Sequence, residues 1–195
     1  MRFAFVHIPK TGGTSLKNIF KQTGKVYHRD KNVRPQNFED YDVCMGHFYP
    51  SIYEGYPIVT WLRNPIERVV SHYTHLTWKM KNQNINRIVV MPGGVQYTFE
   101  WGCDIVAFAE KVGNLYSVYT EGDIDKFAYI GLLGKMRSCL RDMRIIFNIR
   151  VPDEIPVMRK SMKHVSLTNA EKEKLRKILW DDFEIYKEVK SKHER

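Results

Sequence analysis

The chain is poor in cysteine, short of acidic charge and without a long apolar run. Its three cysteines, Cys44, Cys103 and Cys139, lie far apart and form no C-x-x-C pair. That argues against a disulfide-stapled scaffold and a cysteine-rich zinc site, and predicts reduced, mostly buried thiols. No apolar segment approaches the roughly 20 residues of a membrane-spanning helix. The opening run Phe3-Ala4-Phe5-Val6 is short and leads straight into a loop. It reads as a strand rather than a signal peptide, so a cytoplasmic location with no membrane partner is the expectation. Lysine and arginine number 31 against 22 aspartates and glutamates, a net charge of +9. Such a surplus predicts an anionic ligand: a nucleotide, a sulfated or carboxylated sugar, nucleic acid or an acidic surface.

What the chain does have is a folding composition. Its 195 residues are 43% hydrophobic and 13% aromatic, enough for a packed core in one domain over residues 1–195. Residues 2–8, 25–28, 41–45, 57–62 and 127–131 read as short strands, several rich in β-branched and aromatic side chains. Residues 14–23, 104–112 and 135–147 read as helices. So does the stretch after Asn64, where Asn64, Pro65 and Glu67 form a helix start with a capping box. Thr168 and Glu171 make a second box, opening a long final helix through Leu175, Ile178, Leu179, Phe183 and Tyr186. Residues 82–103 carry Met91-Pro92-Gly93-Gly94 and read as an insertion. Strands alternating with helices predict an α/β fold with a central, mostly parallel sheet flanked by helices.

Two segments carry chemistry. In HIPKTGGTS, residues 7–15, a glycine pair sits between a strand and a helix, the arrangement that aims backbone N–H groups at an anion. It is not a Walker loop, which places lysine after its last glycine as G-K-[ST]. Here Lys10 precedes Gly12 and Gly13, and Thr14 and Ser15 follow directly. In LRNPIERVVSHY, Arg63 ends a strand. Ile66, Val69, Val70, Tyr73, Thr77 and Met80 recur at helical spacing as a core face. Ser71 falls about 150° from it at 100° per residue, beside Arg68 and His75. Two separate anion sites on one sheet suggest a nucleotide with phosphates at both ends of its ribose, which a nucleoside triphosphate does not require; no nucleic-acid partner is expected.

PKTGGTS and LRNPIERVVSHY together resemble the two nucleotide-binding motifs of sulfotransferases. The closest resemblance is to the carbohydrate enzymes of the heparan sulfate 2-O and 6-O type. MGHFYP is similar to the family's GHF segment with its catalytic histidine. FAYIGLLGKMRSCLRDM and LTNAEKEKLRKILWDDFEIYKEV are similar to its later strand and helices. The resemblance implies a P-loop-containing nucleotide-hydrolase-like fold. It also implies PAPS (3′-phosphoadenosine 5′-phosphosulfate) as sulfuryl donor, without a metal, and a hydroxyl acceptor, with a sugar or glycan as one candidate. It puts the 5′-phosphate on Lys10, Thr11, Gly12, Gly13, Thr14 and Ser15, and the 3′-phosphate on Arg63 and Ser71. His47 matches the base. Lys10 would meet charge on the leaving oxygen.

Other readings stay open. A P-loop kinase would need ATP and magnesium. A nonenzymatic module would bind an anion without turnover. His7 alternates with Phe3 and Phe5 and reads as structural. Arg68 is expected to pair with carboxylates, and His72 and His75 to be surface residues. Arg159, Lys160, Ser161 and Lys163 form a late basic cluster that reads equally as a solvated loop.

Overall fold

The computed structural model describes residues 2–28, 35, 37–90, 96–152 and 165–194. The late basic cluster and the Met91-Pro92-Gly93-Gly94 break lie outside them. The chain divides into two compact units. The first is Met1–Arg63 with Tyr119–Arg159, the second Asn64–Val118 with Lys160–Arg195.

The first unit is built on a five-stranded sheet. Its strands are β1 (Phe3–Val6), β2 (Val26–His28), β3 (Val43–Gly46), β4 (Ile58–Leu62) and β7 (Tyr129–Leu132). Their order is β2-β3-β1-β4-β7, and all four pairings are parallel. β1, β3 and β4 are buried along their whole length. Strands covered on both faces must be apolar throughout, which is why FAFV and IVTWL show no alternation. α1 (Gly13–Thr23) packs Phe20 edge-on against Phe3 and Phe5, at 5.4 and 5.5 Å between ring centroids. α5 (Met136–Phe147) places Phe147 5.0 Å from Phe3. The chain runs from β1 to β2 and β3 on one side, then crosses to β4 and β7 on the other. β1 is therefore the topological switch point, and ligands of such sheets bind at its carboxyl edge.

The second unit holds α2 (Pro65–Gln83), α3 (Ile105–Val112), the start of α4 (Leu115–Thr120), α6 (Asn169–Ile178) and α7 (Trp180–Lys192). Residues 82–103, read as an irregular insertion, contain an antiparallel hairpin of β5 (Arg87–Val90) and β6 (Tyr97–Glu100). Its Ile88 and Phe99 join the core with Val69, Val70, Leu76 and Met80 of α2 and Phe108 of α3. Asn64 caps α2 as expected, its Oδ1 accepting from the Ile66 and Glu67 N–H groups. The Thr168–Glu171 capping box also forms.

Three expectations are corrected here. The final helix is two helices, broken at Leu179. The Asn114 side chain enters the ladder at the break. Its Nδ2 donates to Ile178 O (2.9 Å) and its Oδ1 accepts from Asp182 N–H (3.3 Å). Those two groups would otherwise bond to each other across one helical turn. Arg68 does pair with a carboxylate, Asp182, but is wholly buried rather than on a polar face. His72 is buried too, edge-on to Phe108 at 5.4 Å. Helical angle alone cannot tell a solvated polar side chain from one with a buried partner. Among the described residues no helix is long and apolar enough to cross a membrane.

Candidate functional site

The site begins where β1 ends. His7 N–H donates to Gly46 O and Thr60 Oγ1 donates to Val6 O, each at 2.8 Å. Both bonds hold the end of β1 between β3 and β4. Val6 is in register with Gly46 and with Thr60. The residues that follow these strands, His7, His47 and Arg63, therefore emerge at one sheet edge.

The loop after β1 bends sharply. Lys10 adopts φ 70° and Gly12 φ 97°, both left-handed. Such a conformation suits glycine and strains a lysine by about 1–2 kcal/mol. A Cβ on Gly12 would also fall 2.7 Å from Leu133 Cδ1. Thr11 is fully buried, and its hydroxyl donates to Ile8 O at 2.9 Å. What Thr11 can offer an anion is therefore its backbone N–H.

α1 opens without a cap. Gly12 stands at the N-cap with no side-chain bond, and the first turn holds no acidic residue. The ladder starts with Leu16 N–H on Gly12 O at 3.1 Å. The N–H groups of Gly13, Thr14 and Ser15 precede it and have no partner within the helix. Three donors with the positive end of a helix dipole make a ready anion site. Thr14 is exposed and Ser15 half-buried, so two hydroxyls stand in the same turn.

The two histidines meet. His7 and His47 stack with ring centroids 4.4 Å apart and planes inclined by 24°. Tyr119 lies 6.2 Å from the His47 ring. Burial holds the His7 imidazole well below its usual pKa, and His47, His28, Lys10 and Lys17 push it further the same way. Every named neighbour acting on it is a base. The edge thus gathers basic side chains, the residue types an anion site uses.

The predicted residues divide between the two units. Lys10, Thr11, Gly12, Gly13, Thr14, Ser15, His47 and Arg63 belong to the first. Ser71 is half-buried on α2 of the second. His7, read from sequence as structural, stands in direct contact with His47. One signal for it was available: positions 3, 5 and 7 share a strand face, and the helix after the loop covers that face.

Residues 1–96 match the model of the sulfotransferase family. The matched segment takes in the loop, His47, Arg63 and Ser71. Among solved structures, a sulfotransferase from Alicyclobacillus acidocaldarius aligns with a TM-score of 0.51 and 16% identity. The alignment covers 93% of this chain and 92% of that one, and establishes a shared fold. Mouse sulfotransferase SULT7A1, solved in complex with PAP, aligns at a TM-score of 0.43 and 15% identity, over 90% of this chain and 62% of its own. No curated protein matches the chain.

Proposed function

We propose that this chain is a sulfotransferase that moves the sulfuryl group of PAPS to an acceptor hydroxyl. The observation that carries the reading is the uncapped start of α1, beside Lys10 and the His7–His47 stack, within a segment matching the sulfotransferase family. A nucleoside triphosphate site of the Walker type would present its lysine from the other end of the loop.

Each residue has a physical task. The N–H groups of Gly13, Thr14 and Ser15, with the Thr14 and Ser15 hydroxyls, hold the 5′-phosphate. Arg63 offers a guanidinium fork to the 3′-phosphate, and Ser71 a hydroxyl. Bound there, PAPS supplies a sulfuryl group whose sulfur–oxygen bond to the 5′-phosphate breaks as the acceptor oxygen attacks. His47 takes the acceptor's proton, a general-base task that imidazole side chains commonly perform. Lys10 meets the negative charge gathering on the leaving oxygen. The left-handed strain at Lys10 is consistent with a backbone held in place for a function. A carbohydrate acceptor of the heparan sulfate type is the finer form of this reading, and it rests on the motif resemblance alone.

The test is a thermal-shift and calorimetric titration with adenosine 3′,5′-bisphosphate (PAP) without magnesium, beside ATP and 5′-AMP. A ligand at a hundred times its Kd stabilises by about 2.7 kcal/mol. Selective stabilisation by PAP, weakened in Arg63→Ala, is expected. An equal or larger response to ATP sinks the reading in favour of a kinase.

A further inference from the structure

His7 takes no part in the chemistry above, yet it touches both of its halves. Its ring lies face to face with His47 at 4.4 Å. Its tip points at the start of α1. A Cβ built on Gly13 would fall 1.9 Å from His7 Nε2, 2.2 Å from Cδ2 and 2.4 Å from Cε1. Those are Nε2 and its two bonded neighbours, so the imidazole packs against the glycine backbone at its Nε2 edge. Nδ1, at the ring's base, is buried and meets no hydrogen-bond partner among the described residues. Phe5, two residues back on the same strand face, stands 6.3 Å away.

A buried ring nitrogen without a partner costs about 1–3 kcal/mol. A purely structural position would be filled more cheaply by an apolar side chain. The groups acting on the ring are His47 after β3, His28 on β2, Lys10 in the loop and Lys17 on α1. Burial first, and then these bases, hold its pKa well below the usual value, so the ring stays uncharged at neutral pH. An uncharged imidazole can lie on His47 without repelling the proton that His47 receives.

We propose that His7 is a positioning residue, a wedge between Gly13 and His47 that ties the base to the phosphate-binding loop. This rests on the reading of His47 as the base. The wedge would hold the proton acceptor and the leaving-group end of the reaction in one fixed geometry. A misplacement of about 1 Å between such groups costs on the order of a hundredfold in rate. The wedge reaches the reaction only through His47.

The primary measurement needs no acceptor. Labelling histidine at Cε1 with ¹³C gives a resonance for each ring, and His47→Ala identifies that of His47. In the wild-type chain the His47 ring should show the order of a rigid group, S² about 0.85 on the backbone scale, falling below about 0.6 in His7→Ala. PAP affinity should change less than about threefold. Single-turnover hydrolysis of PAPS, in which water attacks sulfur, gives its proton to His47 and leaves as sulfate while PAP departs, should slow at least about tenfold in His7→Ala. Added to His47→Ala, the same substitution should slow it no further, since coupled residues are non-additive. An equally ordered His47 ring in His7→Ala overturns the proposal, as does a rate loss that persists in the His47→Ala background. If His47→Ala releases PAP at the wild-type rate, the base assignment fails instead, while ring order still decides whether His7 holds His47. His7→Gln, which keeps polar bulk without a ring, serves if His7→Ala does not fold, with the same outcomes.

Discussion

Arg68 and Asp182 form an ion pair wholly excluded from water, Nη2 standing 3.3 Å from Oδ2 with both side chains at 0% exposure. Arg68 Nη2 also donates to Gly113 O, and Asp182 Oδ1 accepts from Tyr116 N–H at 2.8 Å. The pair thus ties α2 to the start of α4 and to α7 within the second unit. Removing one partner leaves a buried charge uncompensated, which typically costs about 3–5 kcal/mol. Arg68→Met should lose that much in urea denaturation. Arg68→Met with Asp182→Leu should lose clearly less, because no lone charge remains. A double variant as unstable as the single one would contradict this account.

Lys10 offers a separation of stability from activity. Its left-handed φ of 70° favours glycine over any residue with a Cβ. Lys10→Gly should therefore be more stable than Lys10→Ala by about 1 kcal/mol, as read from chemical unfolding. If the proposed sulfuryl transfer is right, both should lose it alike, since neither carries a charge for the leaving oxygen. Retained transfer in Lys10→Gly would remove the lysine from the chemistry.

Gly13 tests the contact beneath the loop. Its added Cβ would land on the His7 ring, which cannot swing aside freely because His47 is stacked on it. Overpacking of this kind costs about 1–3 kcal/mol. Gly13→Ala should lower the Tm and weaken PAP binding, and His7→Ala in the same chain should recover much of the Tm. Independent, additive losses would mean that the two residues do not share the space.

His7 also predicts a pH dependence with a definite sign. Burial and the neighbouring bases hold its folded pKa well below 6.5, while in the unfolded chain it titrates near 6.5. Below that pH the unfolded chain takes up a proton that the folded chain refuses. The contribution to stability is complete above about pH 6.5 and is lost as pH falls below it. Relative to His7→Gln, the wild-type chain should lose stability on acidification, by at most about 1.4 kcal/mol per pH unit. Unfolding free energies of the two chains between pH 5 and 8 decide it, and a constant difference contradicts a neutral His7.

Much of the local structure around the candidate site was legible because its residues are close in sequence. Strand, glycine pair and helix follow one another within residues 3–23, so the loop's character needs no distant partner. Gly12 announces a backbone turn that only glycine permits there. Asn64, Thr168 and Asp104 announce helix starts by bonds spanning two or three residues. Two of the misreadings involve partners far along the chain. Arg68 meets Asp182 across 114 positions. Asn114 breaks the last helix 64 residues away. Residues 82–103 hold a hairpin whose pairing the Met-Pro-Gly-Gly break obscured.

The five strands of the sheet, the strand–glycine pair–helix succession of the loop and the basic surplus were determined by sequence alone, because propensity, turn chemistry and charge are properties of neighbours. Which polar groups are buried, where the last helix breaks and that His7 lies against His47 were decided by tertiary structure. Each depends on the register of strands 40 residues apart, Val6 on Gly46, or on a side chain finding its partner in space, and no local pattern encodes either.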